Sequence, residues 1–114
     1  MLSQALIIPN NKRLYTQRSM DNQKQIKYHF TLYILGLSVN SQNSLYNLKQ
    51  MCELYLKDDY LMEIVDVLEN PELAETEKIL ATPTLVIHKP GPVKRLVGDL
   101  GNWDRLIELL GIDI

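Results

Sequence analysis

Apolar and polar residues alternate along residues 28–35, so that every second side chain falls on one face of an extended chain. This period of two predicts a β-strand with one buried face. After potential helix caps at residues 38–41, the apolar spacing changes to three and four positions and keeps that period up to Lys57. The change predicts an amphipathic helix directly after the first strand.

Five further elements follow from the rest of the pattern. Apolar and β-branched residues at 61–68 predict a second strand, and Pro71 suits the first position of a short helix. Residues 84–88 and 93–97 predict two strands joined by a turn rich in proline, and Trp103–Leu110 predicts a final helix. The order β-α-β-α-β-β-α needs a crossover in its first half and a hairpin in its second. This is the order of the thioredoxin core, so the predicted fold class is α/β with one thioredoxin-like domain.

The first 25 residues are polar and lack a clear period, so we predict a flexible polar tail before a domain of residues 26–114. Residues 1–27 carry five basic groups and one acidic group, a balance of +4. Residues 28–114 carry seven basic and thirteen acidic groups, a balance of −6. An acidic folded domain argues against a nucleic-acid partner, because such partners require a basic surface.

The apolar content bears on the cellular compartment. No apolar run reaches the roughly 20 residues of a membrane-spanning helix, and the first residues lack the basic start and long apolar region of a secretory signal. We therefore expect a cytoplasmic protein without a membrane partner.

The single cysteine, Cys52, excludes an intramolecular disulfide and a cysteine-based metal cluster. Its helical spacing predicts a buried structural thiol.

The start of the predicted first helix bears on redox chemistry. Thioredoxin-type enzymes place two cysteines at C-x-x-C spacing there, where the helix end lowers a thiol pKa. Here residues 38–41 read Ser-Val-Asn-Ser, and a hydroxyl group cannot take part in thiol–disulfide exchange. We therefore predict a protein that is not an enzyme, and a redox protein is the least favoured alternative.

The two histidines, His29 and His88, each fall on a predicted strand. No carboxylate stands at a sequence spacing that marks either one as a metal ligand or a base, so we interpret both as cross-strand surface residues. The acidic residues from Glu63 to Glu77 fit neither a calcium loop nor a two-metal site, and they predict a solvated face. The sequence also has no Gly-rich phosphate loop. We therefore predict no metal site and no cofactor.

Three longer segments resemble the KaiB family of circadian clock proteins. Residues 70–75 read Asn-Pro-Glu-Leu-Ala-Glu, residues 79–84 read Ile-Leu-Ala-Thr-Pro-Thr, and residues 94–100 read Lys-Arg-Leu-Val-Gly-Asp-Leu. The resemblance extends without a gap from Leu32 to Leu100. It implies a non-enzymatic protein that binds the hexameric ATPase KaiC. It also implies two states, an often tetrameric resting form with a repacked second half and a monomeric, thioredoxin-like form that binds the partner.

The resemblance also assigns roles to individual residues. It implies partner contacts at Tyr60, Lys78, Lys94 and Arg95, and structural or switch roles at Pro71, Pro83, Gly98 and Asp99. Cyanobacterial members have basic residues at four positions that are not basic here, namely Asn43, Glu63, Glu69 and Ile87. These departures predict weak affinity for a cyanobacterial KaiC.

Two binding hypotheses follow from the resemblance. In the favoured one, the protein is a KaiB-like regulator that binds a KaiC-type ATPase or a signalling kinase, in clock-like or stress-adaptation signalling. In the alternative, it is a free-standing adaptor related to the KaiB-like sensor domain of histidine kinases. The resemblance implies a homo-oligomer, a tetramer or a dimer, in the resting state.

Overall fold

The computed structural model describes residues 4–8, 13–17, 27–56 and 59–112. Strands and helices alternate through most of this part of the chain, and the first helix continues as a π-helical turn at Cys52–Leu56. The elements are β1 (Gln4–Ile8), β2 (Arg13–Gln17), β3 (Tyr28–Ile34), α1 (Val39–Met51), β4 (Tyr60–Asp66), α2 (Pro71–Thr76), β5 (Thr84–Lys89), β6 (Lys94–Val97) and α3 (Trp103–Leu110).

The strands form one sheet in the order β1-β2-β4-β3-β5-β6. β3 and β4 pair in parallel, and α1 provides the crossover that parallel neighbours require. β5 pairs antiparallel with β3, and β6 pairs antiparallel with β5, which gives the predicted C-terminal hairpin. The thioredoxin-like order from β3 to α3 is confirmed, with strand ends displaced by one or two residues from their predicted positions.

The N-terminal region differs from its prediction as a flexible polar tail. β1 and β2 form an antiparallel hairpin, and β2 pairs antiparallel with β4, so the hairpin extends the sheet. β1 reads Gln-Ala-Leu-Ile-Ile and the centre of β2 reads Leu-Tyr-Thr, which are residue types that favour strands. Polar residues on both sides make the average composition of residues 1–25 polar, so the composition does not reveal these short runs. The tail prediction is wrong for the two strands, while the rest of residues 1–25 lies outside the described residues.

One face of the sheet, called here the main-core face, is covered by α1 and α3. α1 begins after Ser38, whose side chain accepts a hydrogen bond from the Ser41 backbone N–H, and α3 ends at the left-handed Gly111. Cys52 lies in this core, which confirms the predicted buried thiol, and burial raises its pKa well above the usual value. The buried core residues are Tyr28, Phe30, Leu32, Ile34, Leu48, Met51, Cys52, Leu56, Tyr60, Met62, Ile64, Leu85, Ile87, Leu100, Leu106 and Leu110.

The opposite face of the sheet, called here the second face, carries a smaller apolar cluster. In the described part of the chain its buried members are Tyr33, Val65 and Val86, with Leu73 of α2 packed against them. α2 has six residues, and none of them is fully buried. Most of the second face is therefore not closed by a packed helix.

Candidate partner-binding surface

Three of the four predicted contact residues lie where α2 ends and where β6 forms one edge of the sheet. Lys94 and Arg95 are consecutive on β6, so their side chains point to opposite faces of the sheet. Lys94 stands opposite Ile87 of the main-core face, whereas Arg95 stands opposite Val86 of the second face. The two charges therefore do not form one patch on a single face, and a partner must approach the edge of β6 to contact both.

α2 ends in a hydrogen-bond pattern that is common at helix C-termini. The N–H of Ile79 donates to the carbonyl of Ala74 at 2.9 Å, and the N–H of Lys78 donates to the carbonyl of Glu75 at 3.1 Å. This Schellman arrangement places Lys78 in the left-handed region, where its φ is 57°. Glycine is the usual residue at such a position, so Lys78 keeps an exposed positive charge there at a conformational cost.

The guanidinium of Arg95 holds this helix end. Its Nη2 donates to the carbonyl of Glu77 at 2.6 Å, and its Nη1 donates to the carbonyl of Lys78 at 3.0 Å. Carbonyls at a helix C-terminus lack donors within the helix, and the helix dipole favours a cation there. Arg95 therefore joins β6 to α2 and brings Lys78 close to the edge strand. Lys94 is less engaged, because among the described residues its Nζ donates within its own hairpin, to the carbonyl of Pro92 at 3.3 Å.

Tyr60 lies apart from the other three predicted contact residues. It opens β4, which is separated from β6 by two strands in the sheet order. Its side chain is 1% exposed in the main core, and its ring stacks on Phe30 with 6.2 Å between the ring centroids. In this fold Tyr60 offers no surface to a partner, so its contact role stays a prediction from the resemblance.

Two of the predicted structural residues meet at the loop after β6. The Thr82–Pro83 peptide bond is cis, and the buried Pro83 accepts a hydrogen bond through its carbonyl from the N–H of Gly98 at 2.9 Å. The φ of Gly98 is 125°, a value that L side chains rarely adopt. The tight connection between the start of β5 and the end of β6 thus depends on glycine at position 98.

The other two predicted structural residues stabilise local turns. The Asp99 carboxylate accepts a hydrogen bond from the N–H of Gly101 at 2.9 Å, and its backbone carbonyl accepts one from the side chain of Asn47 on α1 at 2.8 Å. Pro71 is the first residue of α2, where a missing N–H has no cost. These positions explain a structural role, while a role in switching stays a prediction.

The second face also holds a group of polar side chains that the sequence analysis did not bring together. We call His29, Thr31, Glu63 and His88 the His–Glu cluster. Glu63 Oε1 lies 3.0 Å from His29 Nε2 and accepts a hydrogen bond from the Thr31 hydroxyl at 3.3 Å. The same hydroxyl lies 2.8 Å from His88 Nε2, and the two imidazole ring centroids are 4.6 Å apart.

The contacts of the His–Glu cluster depend on strand register, which explains why sequence spacing missed them. The parallel pairing of β3 with β4 places Glu63 opposite Thr31, although the two residues are 32 positions apart. His29 and His88 are half-buried and contact each other across neighbouring strands, as expected of cross-strand residues, but sequence spacing did not place Glu63 and Thr31 beside them. Burial lowers the pKa of His88, the neighbouring His29 lowers it further, and the carboxylates of Glu63 and Glu77 oppose that shift.

Comparison with known proteins decides the family. A family model described as a KaiB domain matches residues 31–112 of the chain. The chain belongs to the KaiB family. The circadian clock protein KaiB3 of Synechocystis sp. is 48% identical over 83 residues, which cover 73% of this chain and 79% of that protein. The circadian clock oscillator protein KaiB of Thermostichus vulcanus is 44% identical over 87 residues, which cover 76% of this chain and 79% of that protein.

Solved structures agree with the fold of this KaiB-family chain. The N-terminal domain of Synechococcus elongatus SasA has a TM-score of 0.63 at 22% identity, over 81% of this chain and 88% of that domain. Chloroplastic thioredoxin z has a TM-score of 0.65 at 22% identity, over 76% of this chain and 78% of that one. At these identities the similarity shows the thioredoxin-like fold and nothing finer.

Membership in the KaiB family also settles one functional prediction. The protein is a non-enzymatic clock-family protein, as the absence of a thiol pair at the start of α1 predicted. None of the helices in the described ranges is long and apolar enough to cross a bilayer. The four positions that the resemblance predicts to depart from cyanobacterial members lie in different environments. Asn43 and Glu69 are exposed, Ile87 is buried in the main core, and Glu63 belongs to the His–Glu cluster.

Proposed function

We propose that this KaiB-family protein is a non-enzymatic regulator that docks on a KaiC-type ATPase through the edge of β6 and the adjoining end of α2. The names of its relatives, circadian clock proteins and clock oscillator proteins, support a clock-like role. The observation that carries the docking site is the position of β6. This strand ends the sheet order and carries Lys94 and Arg95 beside Lys78.

The physical chemistry of an edge strand supports this choice. An edge strand presents backbone N–H and carbonyl groups to which another chain can add a strand. Residues 28–114 have a net charge of −6, so the basic groups at β6 are a local exception. Basic groups at the rim of an interface accelerate association with an acidic partner surface and fix its orientation. The proposal therefore requires an acidic surface on the ATPase.

The test measures binding of the full chain to a purified KaiC-type ATPase from the same organism by titration calorimetry at several salt concentrations. The variant Lys78→Glu with Lys94→Glu is expected to bind more weakly by about 1 to 3 kcal/mol, with a smaller salt dependence. Arg95 stays unchanged in this variant, because its loss would also free the end of α2. The matched control is Arg105→Glu, which reverses an exposed charge on α3.

Two outcomes would count against the proposal. Equal affinity of the double variant and the wild type would remove β6 from the interface. Failure of the wild type to bind any KaiC-type ATPase, together with binding to a histidine kinase, would favour the adaptor alternative. A separate result, tight binding to a cyanobacterial KaiC that Glu63→Lys with Glu69→Lys does not change, would contradict the predicted weak affinity for that partner.

The oligomeric state belongs to the same proposal. From the resemblance we expect the resting protein to be a homo-oligomer, a tetramer or a dimer, since covering exposed strand edges stabilises a small domain. Light scattering of the purified chain is the measurement. A monomer across the micromolar range would contradict this part of the proposal and leave the docking site to be tested on its own.

A further inference from the structure

The His–Glu cluster has no part in the proposed docking site, and three neighbouring strands build it. His29 comes from β3, Glu63 from β4 and His88 from β5. The pairing of β3 with β5 shifts register next to His29, which stands opposite Lys89 while Phe30 stands opposite Ile87, so that His88 falls at the irregularity. A bulge of this kind re-aims a side chain, and here it accompanies the convergence of two imidazoles and a carboxylate.

The distances in the cluster are close to those of a metal site. The ligand atoms of His29, Glu63 and His88 all lie within 4.8 Å of one another. His29 Nε2 and Glu63 Oε1 are already 3.0 Å apart. Two ligands held at about 2.0 to 2.1 Å from a tetrahedral zinc ion lie roughly 3.3 Å from each other. The longer distances, of up to 4.8 Å, must shorten when an ion binds.

Imidazole nitrogen and carboxylate oxygen are the ligands that late first-row divalent metal ions prefer in proteins. We propose that His29, Glu63 and His88 bind such an ion, Zn²⁺ in the first place, with a further coordination position open to solvent. The side chains of His29 and Glu63 are 28% and 17% exposed, which gives an ion a path to the site. Mg²⁺ and Ca²⁺ do not fit, because they prefer sites made of oxygen ligands.

One further feature prepares the cluster for a metal ion. The Thr31 hydroxyl lies between Glu63 and His88 and is 4% exposed, so it is a positioning residue that orients the carboxylate. The proposed site departs from the sequence-based prediction of no metal site.

Metal binding at this position has a structural consequence. The three ligands come from three adjacent strands, so one ion links β5 directly to β3 and β4. The unfolded chain does not hold these residues together, and an ion that binds the folded state alone stabilises it by mass action. The midpoint of thermal unfolding should therefore rise with the zinc concentration.

The test uses the full chain and zinc chloride alone. Calorimetric titration is expected to give one Zn²⁺ per chain, and magnesium chloride is expected to give no binding. His29 and His88 are the two histidines of the sequence, so their ring signals in an NMR spectrum are readily assigned, and both should shift on addition of zinc. His88→Gln and Glu63→Gln should each weaken binding at least about tenfold, and Thr31→Val should weaken it about tenfold. The matched control, Glu108→Gln, alters an exposed carboxylate on α3 and should leave zinc affinity unchanged.

Several results would overturn the proposal. Zinc that leaves both histidine ring signals unmoved excludes the site, and this measurement needs no variant to fold. Unchanged zinc affinity in a folded His88→Gln or Glu63→Gln chain excludes it as well. Cys52→Ala tests the remaining thiol, because zinc binding that disappears with Cys52 belongs to that residue and not to the cluster.

Discussion

The two faces of the sheet use the same strands in different ways. The main-core face is lined by apolar side chains, and α1 and α3 close it. The second face combines a small apolar cluster around Val86 with the hydrogen-bonded His–Glu cluster, and α2 covers it without a fully buried residue. β5 shows the contrast within two positions, since Leu85 belongs to the first face and Val86 to the second.

The difference between the two faces separates the source of folding stability from the surface that carries polar groups. Burial of apolar surface is the main source of folding free energy, so the main-core face holds the domain together. The second face contributes less and is therefore free to carry polar groups whose geometry depends on register. The two faces meet at the edge of β6, where Lys94 and Arg95 project to opposite sides.

The largest expected effect is on β5. Leu85→Ala should lower the free energy of unfolding by about 3 kcal/mol, because it leaves a cavity in a core with no exposed surface at this position. Val86→Ala, the neighbouring control, should lower it by about half as much, since fewer atoms are removed from a smaller cluster. Urea denaturation of both variants is the measurement. Equal losses would show that the second face is packed as tightly as the first.

The next effect concerns the contact between β6 and α2. Arg95→Ala should lower stability by about 1.5 kcal/mol, because the carbonyls of Glu77 and Lys78 lose a charged donor. Lys94→Ala, one residue away, should change stability by less than about 0.5 kcal/mol. Thermal unfolding of the two variants gives the comparison. A loss of similar size in both would mean that the helix contact of Arg95 has no special role.

A third prediction concerns Cys52, a small buried side chain of the main-core face. Cys52→Ala should lower stability by about 1 kcal/mol, since it removes one buried sulfur atom, and it should leave partner binding almost intact. Chemical denaturation and the calorimetric binding assay measure the two quantities on the same sample. Lost binding in a variant of unchanged stability would give the thiol a functional role and contradict its structural interpretation.

The smallest expected effect is a gain at the end of α2. Lys78→Gly should raise stability by about 0.5 kcal/mol, because glycine adopts the φ of 57° without strain. The same substitution removes a predicted contact charge, so partner binding should fall while stability rises. Opposite signs in the two assays would confirm that the lysine is kept for recognition. Reduced stability would show that the left-handed position has no cost.

Sequence periodicity was sufficient for most of the fold. The alternation in β3 and the helical spacing of α1 depend on local burial, and both were read correctly from the pattern. The opposite directions of Lys94 and Arg95 also follow from alternation once β6 is placed. The hairpin of β1 and β2 was missed, because its short strand-favouring runs lie among polar residues and because β2 pairs with β4, which is distant in the sequence.

Prediction of the His–Glu cluster requires the pairing of strands that are far apart in the sequence. Contact between Thr31 and Glu63 requires the parallel register of β3 and β4, and contact with His88 requires the antiparallel register of β5. No spacing in the sequence encodes these pairs. Tyr60 shows the converse, since the resemblance suggested a surface role for a residue that this fold places in the core.

The contact between Arg95 and the end of α2 means that the helix and a docked partner would both use the same guanidinium. A partner carboxylate that takes this side chain at the edge of β6 competes with the carbonyls of Glu77 and Lys78 for the same donors. Partner binding at the edge of β6 and the folding of α2 are then thermodynamically linked. Binding of the partner destabilises α2, and a well-ordered α2 weakens binding of the partner. The short helix would report on docking by the faster hydrogen exchange of its amides, at a distance from the docked strand itself.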